Sequence, residues 1–153
     1  MPTDRRLTVA TDGGCYPNPG PGGWAWVAED GRYGCGSFAH GTNNIGELTA
    51  IGQALLAHPD IPLRIIYDSE YAKNCITLWA PRWFATGKAA TKKNIDIIRP
   101  IVKHLQQRPA HADVIWEWVR GHTGHELNEA ADTLASRMVK IGADTTEEGT
   151  LTL

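Results

Sequence analysis

No stretch of this 153-residue chain approaches the roughly 18 consecutive apolar residues of a membrane-spanning helix. Its first residues, MPTDRRLTVATDGG, carry two arginines but only the short apolar stretch LTVAT, too little for the core of a signal peptide. A cytoplasmic location is therefore expected. Cysteine is scarce as well. Cys15, Cys35 and Cys75 are odd in number, widely separated and without a C-x-x-C pair. That excludes a disulfide framework or zinc knuckle and fits free thiols in a reducing compartment. A basic excess is also missing, with 15 Lys and Arg against 17 Asp and Glu and a net charge of -2. The mean hides the distribution. Residues 82–108 hold Arg82, Lys88, Lys92, Lys93, Arg99, Lys103 and Arg108 against Asp96 alone, while the tail GADTTEEGTLTL is acidic. A basic patch can exist on a slightly acidic protein. There are no repeats and no linker, and 42% hydrophobic with 21% charged residues suits one globular domain. Residues 1–141 are expected to form it, and 142–153 to be a flexible acidic tail.

What is present is a clear succession of strand and helix signals. LTVAT (7–11) reads as a strand entering a turn at Asp12-Gly13-Gly14. YPNPGPGG (16–23) has the proline and glycine of a loop or hairpin connection. WAWVAE (24–29) and RYGCGSFA (32–39) are strands joined by a hairpin turn at Asp30-Gly31. In NNIGELTAIGQALLAH, Leu48, Ile51, Leu55 and Leu56 recur at helical spacing, with Asn43 or Asn44 able to cap and Pro59 just past the end. LRIIYD (63–68) is the unbroken apolar run of a strand buried on both faces. Ser69 caps a helix over EYAKNCITLW, a basic connection (81–91) leads to a helix near 92–107, DVIWEWV (113–119) is a strand, and a last helix covers about 125–141. The order βββαβα(α)βα predicts a mixed α/β fold, a five-stranded mixed sheet with helices on both faces.

Four acids stand at the ends of these elements. Asp12 and Asp68 follow apolar strands, where ligands collect in such sheets. Glu47 borders the apolar stripe of its helix. Asp132 lies two turns into the last helix beside the packed face of Leu127, Ala130, Ala131, Leu134 and Met138, on the same side as Asn128. Each has a plain alternative: a turn or capping residue for Asp12 and Asp68, a first-turn acid favoured by the helix dipole for Glu47, a solvated helix acid for Asp132. Together they point to a divalent cation, and oxygen-only ligands favour Mg²⁺ or Mn²⁺ over Zn²⁺. The pair His122 and His125 is H-x-x-H, but Glu129 stands where an H-E-x-x-H motif needs histidine.

The segments TDGGCYPNPGPGGWAW, TNNIGELTAI, IIYDSEYAKNCITLW and WEWVRGHTGHELNEAAD, in this order and spacing, resemble the type 1, bacterial-like ribonuclease H family over roughly residues 5–141. The resemblance implies a ribonuclease H-like fold. It also implies metal-dependent endonucleolytic hydrolysis of the RNA strand of RNA–DNA hybrids, leaving 5′-phosphate and 3′-hydroxyl ends. Two Mg²⁺ ions, with Mn²⁺ as a substitute, would be held by Asp12, Glu47, Asp68 and Asp132. His122 would sit in a loop beside them and shuttle a proton or help product leave, while His125 has no catalytic role. Gly14, Cys15, Asn18, Asn43, Asn44 and Glu70 would lie along the RNA strand, Glu70 where relatives often carry Gln. Thr42 and Asn94, joined by His40, would form a pocket for a DNA phosphate. Trp79 and Trp83 would make an apolar wall beside the DNA sugar, and Lys88, Lys92 and Lys93 would add electrostatic contact. The basic insertion looks shortened beside that of bacterial relatives. Helix capping by Asn43 and Asn44, and core packing by the two tryptophans, remain open readings of those residues. A monomer with an RNA–DNA hybrid as partner and no membrane is expected. A catalytically silent hybrid-binding module, a DNA recombination nuclease on the same fold and a zinc hydrolase are the alternatives.

Overall fold

The computed structural model describes residues 6–120 and 125–153. Three strands open the fold as an antiparallel meander: β1 (Leu7–Cys15), β2 (Gly20–Ala28) and β3 (Arg32–Gly41). Helix α1 (Asn43–Ala57) crosses over to β4 (Leu63–Tyr67), which lies parallel to β1. Then α2 (Glu70–Asn74) runs through a π-helical turn, Cys75–Trp79, into α3 (Ala80–Thr86). Helix α4 (Ile95–Gln107) leads to β5 (Val114–Trp118), parallel to β4, and α5 (Glu126–Ile141) to β6 (Thr145–Thr150), antiparallel to β3. The sheet order is β5-β4-β1-β2-β3-β6.

Strand alternation divides the apolar residues between two cores. On one face Val9, Trp24, Trp26, Leu63 and Ile65 pack against Leu48, Ile51 and Leu55 of α1 and Ile98 and Val102 of α4. On the other, Ala10, Ala25, Val27, Cys35 and Ile66 meet Ala131, Leu134, Ala135 and Met138 of α5. Each fully buried Leu or Ile stabilises the fold by about 1.5–3 kcal/mol. Among the described residues no helix is long and apolar enough to cross a membrane.

Three expectations are corrected. The sheet has six strands, because 145–150 is a strand rather than part of a flexible tail. Gly142, left-handed at φ 59°, ends α5 and reverses the chain onto the open edge of β3. There Glu147 accepts hydrogen bonds from the Tyr33 hydroxyl at 2.6 Å and from Arg137 at 2.6 Å. Second, β1 does not turn at Asp12-Gly13-Gly14 but continues through it to Cys15, with Asp12 paired to Ala25. The glycines serve close approach: a Cβ on Gly13 would overlap the backbone of Gly46 and Glu47 in α1. Third, α1 is capped by Thr42, whose hydroxyl accepts from the Ile45 N–H at 3.2 Å, not by Asn43 or Asn44. Ser69 caps α2 as its position predicts, accepting from the Ala72 N–H at 3.2 Å.

Candidate active site

β1 and β4 are parallel neighbours, so they end at the same side of the sheet. Ala10 and Ile66 face α5. Two residues further on, Asp12 and Asp68 emerge with the same alternation. Asp12 is still inside the ladder, 7% exposed, and therefore rigidly held. Helix α1 starts on the opposite face, and the bare Gly13 and Gly46 let its first turn settle on β1. Glu47 thus reaches over the end of the sheet, where its Oε1 accepts the Gly13 N–H at 3.2 Å. One carboxylate oxygen from each of Asp12, Glu47 and Asp68 lies within 4.8 Å of the others. Asp132, carried by α5, is not within that group. It lines the same open pocket of about 440 Å³, together with Gly13, Asn43, Asn44 and Ser69, and shares a side-chain hydrogen bond with Asp12.

Such crowding raises the cost of ionisation. Burial, the charge of Asp68 and the hydrogen bond and charge of Asp132 push the Asp12 carboxyl up from 3.8 to about 8. Glu47 is held well above the usual range by burial and by the charges of Asp68 and Asp12, against the opposing pull of the Gly13 N–H. Like charges at this separation need either protons or a cation between them. The converging atoms are all carboxylate oxygens, and among the described residues neither Cys nor His joins them. This hard, oxygen-only set fits Mg²⁺ or Mn²⁺.

The other sequence candidates fall in distinct places. His122 lies outside the described residues. His125 caps α5, its Nδ1 accepting from the Asn128 N–H at 3.3 Å. Asn43 and Asn44 are exposed on the pocket wall. Asn18 is exposed in the loop before β2, and its Oδ1 accepts the Asn43 N–H at 3.2 Å, which ties that loop to the start of α1. Cys15 is buried. Its thiol sits among the carbonyls of Pro17, Gly20 and Gly41 at 3.1–3.3 Å, beneath the loop rather than on its surface. Glu70 is exposed in the first turn of α2. The Thr42 hydroxyl is engaged by its cap. Asn94 is left-handed at φ 63° just before α4 and hydrogen-bonds the Tyr71 side chain. Trp79, 40% exposed, meets Tyr71 edge-on at 5.9 Å. Trp83 packs against the α1-side core while the Lys92 ammonium lies 5.1 Å from its ring centre. Lys88, Lys93 and His40 are exposed. Gly13 and Ser69 also line the pocket, although the sequence marked them only as a turn residue and a helix cap. Their adjacency to Asp12 and Asp68 was the available signal.

The RNase H family model matches residues 4–140. Ribonuclease H of Tropheryma whipplei is 40% identical over 141 residues, covering 87% of this chain and 84% of that protein. Ribonuclease HI of Pseudomonas aeruginosa is 43% identical over 147 residues, covering 91% of this chain and 97% of that protein. The crystal structure of LC9-RNase H1, a type 1 RNase H with the type 2 active-site motif, shares the fold with a TM-score of 0.79 at 24% identity, over 99% of this chain and 79% of that one.

Proposed function

The chain belongs to the ribonuclease H family, type 1, and on that premise we propose that it is a cytoplasmic, monomeric endonuclease that cuts the RNA strand of RNA–DNA hybrids with two Mg²⁺ ions, leaving 5′-phosphate and 3′-hydroxyl ends. The observation that carries this reading is the convergence of Asp12, Glu47 and Asp68 oxygens within 4.8 Å. When bound, divalent cations supply an activated water and charge neutralisation at the departing 3′ oxygen. The protein's part is to hold the ligands ready. Asp12 is fixed by the ladder, Glu47 by the Gly13 N–H, and Asp132 reaches the pocket from α5. His122 shuttles a proton or helps the product leave.

Recognition rests on two surfaces. On the RNA side Asn43, Asn44, Asn18, Glu70 and the backbone at Gly14 and Cys15 offer short polar groups suited to the 2′-hydroxyl in the shallow minor groove. On the DNA side Thr42, Asn94 and His40 take a phosphate, Trp79 and Trp83 flank a sugar, and Lys88, Lys92 and Lys93 add salt-sensitive attraction.

Cleavage of an end-labelled hybrid with Mg²⁺ or with EDTA, beside duplex DNA and duplex RNA, tests the reading. The expected result is cutting of the hybrid's RNA alone, and only with metal. Cutting of duplex DNA would make the protein a DNA nuclease on this fold. No cutting by folded protein that still binds the hybrid would make it a binding module.

A further inference from the structure

We propose that Trp118 is a positioning residue for the carboxylate pocket, acting through the backbone of Asp68; the proposal rests on the reading of Asp68 as a cation ligand. β5 is an edge strand, and Trp118 is its last residue, in register with Tyr67, the last residue of β4. The parallel ladder makes one more bond, from the Val119 N–H to the Tyr67 carbonyl at 2.9 Å. At the next peptide the chain leaves the sheet to enter the Ser69 cap of α2. At that junction the Asp68 carbonyl accepts instead from a side chain, the Trp118 indole Nε1–H, at 3.3 Å.

The packing of β5 explains why an indole stands there. Val114 and Trp116, on the same face of the strand, pack into the α1-side core, and Trp116 meets Tyr67 edge-on at 6.2 Å. Trp118, two residues further, is 47% exposed, so burial of its ring explains little of its placement. Its polar edge is what reaches the neighbouring strand. Asp68 differs in this from Asp12, whose backbone is held by strand pairing on the β2 side. The direction of the Asp68 carboxylate is set where β4 has just ended, and the indole bond restrains that peptide in place of the ladder. Groups that orient a ligand without touching the ion commonly change metal affinity or activity by about 10–100-fold when removed.

Trp118→Phe keeps the ring and deletes the N–H. Titration of metal-free protein with Mg²⁺ alone, by calorimetry, is the primary readout, with Asp68→Asn as reference and thermal unfolding as a control. The expected result is Mg²⁺ affinity reduced about tenfold in Trp118→Phe. The melting temperature should be close to that of the parent, the KM for hybrid unchanged, and kcat low at limiting Mg²⁺ but recovered in excess. Parental Mg²⁺ affinity in Trp118→Phe, with affinity lost in Asp68→Asn, would overturn the role of Trp118 alone. Parental affinity in Asp68→Asn would overturn the cation reading of Asp68 and this proposal with it. A Trp118→Phe protein with weakened Mg²⁺ binding and an equally raised KM would also overturn it, since that pattern marks a general loosening of the sheet edge.

Discussion

Replacing Asp12 with Asn should stabilise the metal-free protein, and the gain should grow with pH. Asn preserves the shape of the side chain but cannot ionise. In the native protein the Asp12 carboxyl is raised from 3.8 to about 8 by burial and by Asp68 and Asp132. Between those values the folded state binds a proton that the unfolded chain has released, so stability is full at low pH and is lost as pH rises toward the folded pKa. At about 1.4 kcal/mol per pH unit, the ceiling for this one group is about 4 kcal/mol between about pH 5 and about pH 8. Sharing of the proton with Glu47 and entry of water into the open pocket reduce it. We expect the stability difference between variant and parent to widen by at least about 2 kcal/mol over that interval in EDTA. Urea unfolding at several pH values, followed by tryptophan fluorescence, measures it. Taking the difference between the two proteins cancels His58, whose pKa is lowered by burial and whose effect runs the other way. Mg²⁺ should then narrow the gap by stabilising the parent. A difference that stays constant with pH would refute the reasoning, because it would mean that the clustered carboxyls are as ionised in the fold as in the unfolded chain.

Other perturbations probe the supports of the pocket. Gly13→Ala forces the first turn of α1 away from β1 and should cost about 1–3 kcal/mol, with a raised Mg²⁺ requirement because Glu47 moves with the helix; denaturation and metal titration of the same preparation check both. Thr42→Ala removes the α1 cap and should lower stability by about 1 kcal/mol in urea unfolding, a loss that Thr42→Ser largely restores. His122→Ala should reduce kcat by about a hundredfold while calorimetric Mg²⁺ binding stays at the parental value; unchanged turnover would remove His122 from the mechanism.

Much of this arrangement was legible because the signals are local. The apolar runs LTVA and LRIIY, the helical recurrence of Leu48, Ile51 and Leu55 and the acids that follow the strands each report their own surroundings. What escaped depends on distant partners. β6 is Thr, Glu and Gly, a composition with little strand signal of its own, and it exists because β3 has a free edge and Glu147 finds Tyr33 and Arg137. Asp12-Gly13-Gly14 looks like a turn because glycine marks both turns and close backbone contact, and only the position of Gly46 separates the two. Thr42 outcompetes Asn43 and Asn44 as cap because the chain enters α1 extended at Thr42, which leaves both asparagines free to line the pocket. The buried thiol of Cys15 likewise reflects a loop folded over it, which strand alternation alone does not reveal.

The pocket has no local owner. Its acids come from β1, from the residue just past β4 and from helices packed on opposite faces, α1 and α5. The triad of Asp12, Glu47 and Asp68 is gathered by β1, α1 and the end of β4, while Asp132 stands on α5, so an opening that lifts α1 disperses the triad and one that lifts α5 takes Asp132 from the pocket. Occupancy and global folding are then one equilibrium seen from two ends: a cation at a hundred times its dissociation constant adds about 2.7 kcal/mol to the unfolding free energy. The same linkage predicts that amides deep in both helices, far from the carboxylates, exchange more slowly with solvent deuterium when Mg²⁺ is present.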